Sequence, residues 1–280
     1  MPTVELVVTD LDGTFWHTDD HVPSAVLDAV AELERRGIPL LVATGRRLAS
    51  TRGPLARHGL TPPAIVLNGA LGVDLATDER FHLAPFATEE ALAAYDAFVS
   101  VGLSPVVYVD DPRYDVFISQ SPDTNPEHVE SLGDTAGRRW APAGRSAVDD
   151  LRQAVADTPV LGFSMIGVSF APAEAAVAAL QDIAEVHLDR SIDFPSMAAL
   201  TAAPLHQSKW DGVLAFCAAH GIDSTRVMAV ADGPNDIELL TKAAVRVVPE
   251  VAHQRALDLA THSIPSAREG GWADIIHLLD

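Results

Sequence analysis

Two acidic side chains follow the first strand-like run of the sequence, two residues apart. Asp10 and Asp12 lie in the segment Asp-Leu-Asp-Gly-Thr, directly after the strand-like residues 4–9. Carboxylates with this spacing at the end of a strand lie on one side of the backbone, and open α/β sheets bind ligands just beyond that end. Because the two charges repel, the pair needs a metal ion or a proton, and beside a metal ion one carboxylate can work as acid and base. A solvated turn is the alternative for this motif taken alone.

A second acidic segment follows another apolar run near the end of the chain. Asp232 and Asp236 lie in Ala-Asp-Gly-Pro-Asn-Asp, between the apolar residues 227–231 and a helical pattern. Their carboxylates are hard oxygen ligands of the kind that magnesium prefers, together with carbonyl groups and water. A strand-to-helix turn in which Asn or Asp caps the helix is the alternative interpretation.

Two further segments carry groups that can bind phosphate. Thr44, Gly45 and Arg46 close the second strand-like run, where a hydroxyl and backbone N–H groups can hold a phosphoryl oxygen. Lys209 lies at the start of a helical pattern and can neutralise the charge of a phosphoryl group in transfer. Taken alone, the first segment could be an ordinary strand exit and Lys209 could be a solvated lysine. Arg47, which follows Arg46, is expected to be a solvated surface residue. The hypothesis of a phosphate site therefore depends on the joint occurrence of these segments, in chain order, at strand exits.

A sheet must bring these segments together, and the hydrophobic pattern predicts one. In residues 1–84 and 205–280, short β-branched or leucine-rich runs alternate with helical patterns. This rhythm is typical of an α/β fold with a doubly wound, mostly parallel sheet. In residues 85–204 strands follow each other in runs, which predicts an inserted α+β domain.

Local signals predict several elements and their ends. Ser24 is expected to cap the first helix and Gly37 to end it. Residues 71–83 alternate around a polar turn, which predicts an antiparallel hairpin, and a last helix is expected to end near Leu279. Residues 120–145 form a polar, proline-bearing stretch.

Composition excludes several classes of partner. The chain has 39 acidic and 19 basic residues, a formal net charge of −20, so it would repel a nucleic acid. No apolar run approaches the ~20 residues of a membrane-spanning helix, and the first residues lack the pattern of a secretion signal. We therefore expect no nucleic-acid partner, no membrane partner and a cytoplasmic location. Cys217 is the only cysteine, which excludes an intrachain disulfide.

Together, these segments resemble the four motifs of the haloacid dehalogenase-like superfamily, and most closely those of its Cof-like phosphatases. The resemblance covers nearly the whole chain. Asn68 and Gly69 with the following hairpin, and the large insertion between the second and third motifs, resemble that subgroup's entry into its cap domain. The resemblance implies a Rossmann-like catalytic core, an α+β cap that sets specificity, and a Mg²⁺-dependent phosphatase that acts on a small phosphorylated metabolite such as a sugar phosphate.

The resemblance also implies a role for each motif residue. Asp10 would be the nucleophile that forms a phospho-aspartyl intermediate, and Asp12 the general acid and base. The remaining implied roles are phosphate binding by Thr44, Gly45 and Lys209, magnesium binding by Asp10, the backbone carbonyl of Asp12, Asp232 and Asp236, and support by Asn235, Arg46 and Asn68.

Three alternatives to a phosphatase stay open at this point. A phosphosugar mutase of the same superfamily would return the phosphoryl group to a sugar. A receiver-like regulatory domain would keep the phospho-aspartate as a signal, although Asp12 and the long insertion favour turnover. A non-catalytic phosphometabolite-binding protein is disfavoured because no catalytic position is substituted. Sugar phosphates, nucleotides and cofactor phosphates all remain candidate substrates, and the sequence carries no signal for an oligomeric state.

Overall fold

The structure is a computed structural model that describes residues 4–17, 20–110, 116–119, 145–191, 194–205 and 207–279, with the backbone alone for 116–119 and 145–147. It divides into two compact units. The first unit comprises residues 1–46, 51–83 and 208–280, and the second comprises residues 47–50 and 84–207. The predicted polar stretch at residues 120–145 lies almost wholly outside the described residues.

The strands of the described residues are, in chain order, β1 (Leu6–Thr9), β2 (Leu40–Ala43), β3 (Pro63–Val66), β4 (Leu71–Asp74), β5 (Arg80–Leu83), β6 (Val106–Val109), β7 (Val116–Ser119), β8 (Arg145–Val148), β9 (Val160–Val168), β10 (Ala184–Arg190), β11 (Ala198–Pro204), β12 (Val227–Val230), β13 (Val245–Pro249) and β14 (His262–Ile264). The α-helices are α1 (Ser24–Arg36), α2 (Leu48–Arg57), α3 (Thr88–Ser100), α4 (Leu151–Asp157), α5 (Phe170–Leu180), α6 (Lys209–His220), α7 (Ile237–Lys242) and α8 (Gln254–Leu257). Short 3₁₀ helices cover Leu67–Gly69, Ser224–Arg226, Pro234–Asp236, Ala267–Glu269 and Gly271–Leu278.

The first unit is built on an eight-stranded sheet of order β14-β13-β12-β1-β2-β3-β4-β5. Neighbouring strands are parallel from β14 to β3, and β4 and β5 add the predicted antiparallel hairpin. All residues of β1 and β12 are buried, as expected for central strands of a parallel sheet covered on both faces. Leu6 and Val8 of β1 belong to the same core cluster as Val213 and Phe216 of α6. Because β1, β2 and β12 run in parallel, their carboxyl ends meet at one edge of the sheet.

The second unit contains a separate six-stranded sheet of order β10-β11-β9-β6-β7-β8. Its neighbouring strands are antiparallel except for β7 and β8, which pair in parallel. Helices α3, α4 and α5 contribute to one apolar core with the strands, and the rings of Phe86 and Phe98 both pack against Phe163 there. The expected fold class is confirmed: a large, mostly parallel α/β sheet accompanied by a smaller α+β unit.

The predicted helix ends are partly right. Helix α1 ends at Gly37, whose φ of 69° lies in the left-handed region that favours glycine. The predicted cap at Ser24 is wrong, because Pro23 occupies the cap position and Ser24 is the first helical residue. The last predicted helix ends at Leu278 and is a 3₁₀ helix rather than an α-helix. Among the described residues, no helix is long and apolar enough to span a membrane.

Candidate active site

Asp10 and Asp232 lie beyond the carboxyl ends of two neighbouring parallel strands. Strand β1 ends one residue before Asp10, and the Asp10 backbone N–H donates to the carbonyl of Val230, the last residue of β12. Asp232 follows Val230 by two residues. The parallel pairing of β1 and β12 therefore brings together two acidic residues that are 222 positions apart in the sequence (232 − 10).

Lys209 joins Asp10 to Asp236. Its Nζ donates to Asp10 Oδ1 at 2.7 Å and to Asp236 Oδ1 at 2.6 Å. The lysine is the first residue of α6, and the backbone N–H of the preceding Ser208 donates to Asp211 Oδ2 at 2.8 Å, which fixes the start of the helix. Lys209 is 1% exposed. Burial by itself lowers the pKa of Lys209, but the charges of Asp10 and Asp236 overcome this effect and hold it above its ordinary value.

Asp232 is held by the turn that follows β1. Thr14 Oγ1 donates to Asp232 Oδ1 at 2.5 Å. Gly13 has a φ of 83°, and a Cβ at this position would lie 2.4 Å from Asp232 Oδ2. Glycine is thus required at position 13 both by the backbone conformation and by the carboxylate packed against it.

Three carboxylates form a group that could hold a metal ion. One oxygen from each of Asp10, Asp232 and Asp236 lies within 4.8 Å of the others. Burial raises the pKa of Asp10 well above its ordinary value; the charge of Lys209 opposes this shift, and Asp236 and Asp232 add to it. Burial, together with the charge of Asp236, also raises the pKa of Asp232 to about 6, and the hydrogen bond from Thr14 opposes this shift. Two buried carboxylates and a half-buried third, this closely spaced, fit a hard divalent cation.

The side chain of Asp12 takes part in a different set of contacts. Arg46 Nε donates to Asp12 Oδ2 and Arg46 Nη2 to Asp12 Oδ1, both at 2.5 Å, which is a two-point pairing. Trp16 Nε1 donates to Asp12 Oδ1 at 3.2 Å, and the guanidinium carbon of Arg46 lies 5.1 Å from the Trp16 ring centre. Arg46 Nη2 also donates to Asp20 Oδ1 at 2.7 Å. Burial raises the pKa of Asp20 above its ordinary value although Arg46 opposes the shift.

The exit of β2 lies against a pair of asparagines. The Thr44 Oγ1 accepts from the Arg46 backbone N–H at 3.2 Å, and the Thr44 carbonyl accepts from the Asn68 backbone N–H at 3.1 Å. Asn235 Nδ2 donates to Asn68 Oδ1 at 2.9 Å. A Cβ on Gly45 would lie 2.9 Å from that same Asn68 oxygen, so a larger residue at this position would press on the asparagine pair.

The structure brings most of the sequence-predicted site residues to the same edge of the first sheet. Asp10, Asp232, Asp236 and Lys209 are in one cluster, and Thr44, Gly45, Asn68 and Asn235 in a second. The carboxylate of Asp12 lies outside the three-carboxylate group and is paired with Arg46. The expectation that Arg47 is a solvated surface residue is wrong, since it is 8% exposed.

Sequence reasoning missed three contributors to the site. The first acidic motif contains Thr14 without giving its hydroxyl a role, but that hydroxyl donates to Asp232. Trp16 and Asp20 fall in a stretch without a periodic hydrophobic pattern, so nothing in the spacing indicated that they would contact Asp12 and Arg46. Only the left-handed backbone of Asp20, with a φ of 57°, marks its position as unusual once the structure is known.

The sequence pattern of the haloacid dehalogenase-like hydrolases matches residues 7–276. The chain belongs to this family, and the expected resemblance to its Cof-like members is confirmed. The expected enzyme class, a phosphatase of this family, is confirmed with it.

Individual relatives are similar over nearly their whole length. A phosphoglycolate phosphatase of Methanopyrus kandleri is 26% identical over 279 residues, which cover 98% of this chain and 96% of the relative. The fold is similar to a haloacid dehalogenase-like hydrolase from B. subtilis, with a TM-score of 0.78 and 19% identity over 99% of this chain and 100% of that one. It is also similar to a phosphatase of the same superfamily from Bacteroides thetaiotaomicron, with a TM-score of 0.77 and 18% identity over 99% and 95% of the two chains.

Proposed function

We propose that the chain is a Mg²⁺-dependent phosphatase that hydrolyses a small phosphorylated metabolite through a phospho-aspartyl intermediate on Asp10. The observation that most supports this proposal is the position of Asp10 at a strand exit. There Asp10 accepts a hydrogen bond from the buried Lys209 and lies close to Asp232 and Asp236. Carboxylates serve as covalent nucleophiles in phosphoryl transfer. A phosphatase therefore accounts for the residue types and for their proximity.

In the first half-reaction, an oxygen of Asp10 forms a bond to phosphorus while the bond from phosphorus to the leaving oxygen breaks. Asp12, in its protonated form, gives its proton to the departing alkoxide. In the second half-reaction, water attacks the phosphorus of the phospho-aspartate and Asp12 takes a proton from that water. The bond between phosphorus and the Asp10 oxygen breaks, which releases phosphate and restores both carboxyl groups.

Lys209 stabilises the charge of the phosphoryl group. A unit-charge pair at ~4 Å contributes ~4 kcal/mol at an effective dielectric constant of ~20. Because Lys209 is already held by two carboxylates, it is oriented before the substrate arrives and needs no rearrangement. The Thr44 hydroxyl and the backbone at Gly45 are suited to hold a phosphoryl oxygen beside it.

A metal ion fits the acidic group. Asp10, Asp232 and the backbone carbonyl of Asp12 would hold Mg²⁺, with Asp236 completing or supporting the ligand shell. When bound, the ion supplies positive charge that offsets the charge of the phosphate oxygens. Thr14 orients Asp232 for this role through its hydrogen bond.

The second unit is proposed to be the cap domain that selects the substrate, as the family resemblance implies. Its separate, mostly antiparallel sheet supports this role. The name of the Methanopyrus relative makes 2-phosphoglycolate a first compound to test, together with sugar phosphates. Substitutions in this unit should change the preference among esters more than they change the hydrolysis of 4-nitrophenyl phosphate.

The test is steady release of phosphate from 4-nitrophenyl phosphate by the purified protein. We expect turnover that requires Mg²⁺, stops with EDTA and is absent in Asp10→Asn. A single turnover that leaves a stable phosphoprotein would instead indicate a receiver-like regulator, and dependence on a bisphosphate activator would indicate a mutase. A panel of phosphorylated metabolites then identifies the preferred ester by its kcat/KM.

A further inference from the structure

A second, buried carboxylate accepts a hydrogen bond from the same Arg46 nitrogen as Asp12. Arg46 Nη2 donates to Asp12 Oδ1 at 2.5 Å and to Asp20 Oδ1 at 2.7 Å. An Nη nitrogen of arginine carries two hydrogens. One nitrogen of Arg46 can thus serve both carboxylates at once, while Arg46 Nε takes the second oxygen of Asp12.

Asp20 is itself held firmly by its surroundings. Its side chain is 5% exposed, whereas the second arginine near it, Arg57, is 62% exposed and 3.5 Å away. The backbone carbonyl of Asp20 is within hydrogen-bond distance of His58 Nε2 at 3.0 Å. Its φ of 57° is a conformation that aspartate and asparagine tolerate better than most residues. The position is therefore built to present a carboxylate to Arg46.

We propose that Asp20 is a positioning residue that acts on Asp12 through Arg46. This inference depends on the proposed role of Asp12 as general acid and base. A guanidinium held only by Asp12 could rotate with it, because an arginine side chain has several free torsions. Asp20 holds the guanidinium through the same Nη2 that donates to Asp12, and the Trp16 ring lies against the guanidinium face. The carboxylate of Asp12 is thereby kept in one orientation towards the leaving oxygen.

This role makes a prediction about leaving groups. A 4-nitrophenolate leaves without needing a proton in the transition state, whereas the more basic phenolate of phenyl phosphate depends on a well-placed acid. The ratio kcat/KM reports the first half-reaction, in which Asp12 donates. A defect in the position of Asp12 should thus lower kcat/KM for phenyl phosphate more than for 4-nitrophenyl phosphate, and a general loss of folded protein should lower both equally.

The experiment compares two variants with a matched control. Asp20→Asn keeps the left-handed backbone and one acceptor but loses the charge, and Arg46→Lys keeps the charge but loses the fork. The control is Asp78→Asn, because Asp78 also has a positive φ, 65°, and pairs with an arginine, Arg52, but in the hairpin turn. Asp12→Asn gives the full loss of the acid and Asp10→Asn the loss of the nucleophile.

A 1 Å misplacement can cost ~10²-fold, so we expect Arg46→Lys to lower kcat/KM for phenyl phosphate by about that factor and Asp20→Asn by roughly tenfold. Both should change the 4-nitrophenyl phosphate value by less than about threefold, and Asp78→Asn should change neither. Equal losses on both esters, or no loss, would overturn the positioning role. If Asp20→Asn does not fold, the absence of a selective loss in Arg46→Lys still overturns the proposal, because Asp20 acts on Asp12 only through Arg46. Retained turnover in Asp10→Asn would instead refute the proposed function itself, whereas an ester-selective loss in Asp12→Asn without one in Asp20→Asn refutes only the role of Asp20.

Discussion

Replacing Lys209 with methionine should destabilise the first unit strongly, in a way that depends on pH. Methionine fills a similar volume but leaves Asp10 and Asp236 facing each other without the ammonium that joins them. The lysine is 1% exposed, so solvent screens these interactions little. Removing one partner of a buried ion pair costs ~3–5 kcal/mol, mostly because the remaining charge is left uncompensated. We expect a loss of this size in the free energy of unfolding at pH 8 without metal.

The pH dependence follows from the sign of the Asp10 shift. Burial already raises the pKa of Asp10, and Lys209 opposes that shift, so the pKa rises further in the variant. A carboxyl group with a raised pKa destabilises the native state increasingly from its unfolded-state pKa up to its native pKa, and fully above the native pKa. Because both proteins share the same unfolded-state pKa, the loss caused by Lys209→Met should be small below the raised pKa that Asp10 has in the wild type and reach its full size only above the higher pKa in the variant.

Urea unfolding followed by tryptophan fluorescence at pH 5 and pH 8, with EDTA present, measures this loss. Trp16, Trp210 and Trp272 lie in the first unit, so the signal reports mainly on the unit that contains the site. The matched control is Lys242→Met, because Lys242 is the only other lysine and is exposed. The double variant Lys209→Met/Asp10→Asn should regain part of the loss, with a coupling energy of at least ~1 kcal/mol.

Two results would refute the reasoning. Lys209→Met could be as stable as Lys242→Met at pH 8, which would mean that the buried lysine does not compensate the carboxylates. Alternatively, the loss could be the same at pH 5 and pH 8, which would mean that it comes from packing rather than from charge.

Three further predictions concern the acidic group. Burial raises the pKa of Asp232 from an ordinary 3.8 to about 6, and one pKa unit corresponds to ~1.4 kcal/mol. Asp232→Asn should therefore stabilise the metal-free protein by up to ~3 kcal/mol at pH 8 and by nothing at pH 3.5. Urea unfolding at the two pH values measures this difference. Because a metal ligand must be deprotonated, the rise in melting temperature caused by Mg²⁺ should shrink as the pH falls through about 6; an unchanged rise at pH 5 would contradict the role of Asp232. Gly13→Ala, with its positive φ and a Cβ 2.4 Å from Asp232 Oδ2, should weaken Mg²⁺ binding by at least about tenfold in calorimetric titration, whereas the open Gly37→Ala is the matched control for backbone strain alone.

The sequence predicted the cluster of Asp10, Asp232, Asp236 and Lys209 because a parallel sheet imposes it. Once strands are assigned before Asp10 and Asp232, right-handed parallel connections bring their carboxyl ends to one edge whatever the intervening length. Short-range signals were also sufficient for the left-handed end at Gly37 and for the hairpin of β4 and β5. These features depend on the local chain or on general topology, and neither requires knowledge of side-chain packing.

Other features depend on contacts that no spacing encodes. Lys209 is buried because it binds the carboxylates of two distant segments, Asp10 and Asp236. From the sequence alone, a single lysine is expected to be solvated. Asp20 lies between β1 and α1 in a segment without periodicity, and its partner Arg46 is 26 residues away. Trp272, near the end of the chain, donates to the Thr9 hydroxyl at 2.9 Å and so supports β1 just before Asp10. Such contacts are fixed by tertiary packing, which the sequence pattern does not specify.

The formal charges divide the site into two halves with different requirements. On the side of Asp12, two carboxylates (Asp12 and Asp20) face two guanidinium groups (Arg46 and Arg57), so the protein supplies its own balance. On the side of the nucleophile, Asp10, Asp232 and Asp236 carry three negative charges against the single ammonium of Lys209, which leaves a formal charge of −2. That excess contributes to the raised pKa values of Asp10 and Asp232 and disfavours the folded state when no cation is bound. A divalent cation would supply the charge that is missing there, so the electrostatic strain in this half of the site and its proposed affinity for Mg²⁺ have the same origin.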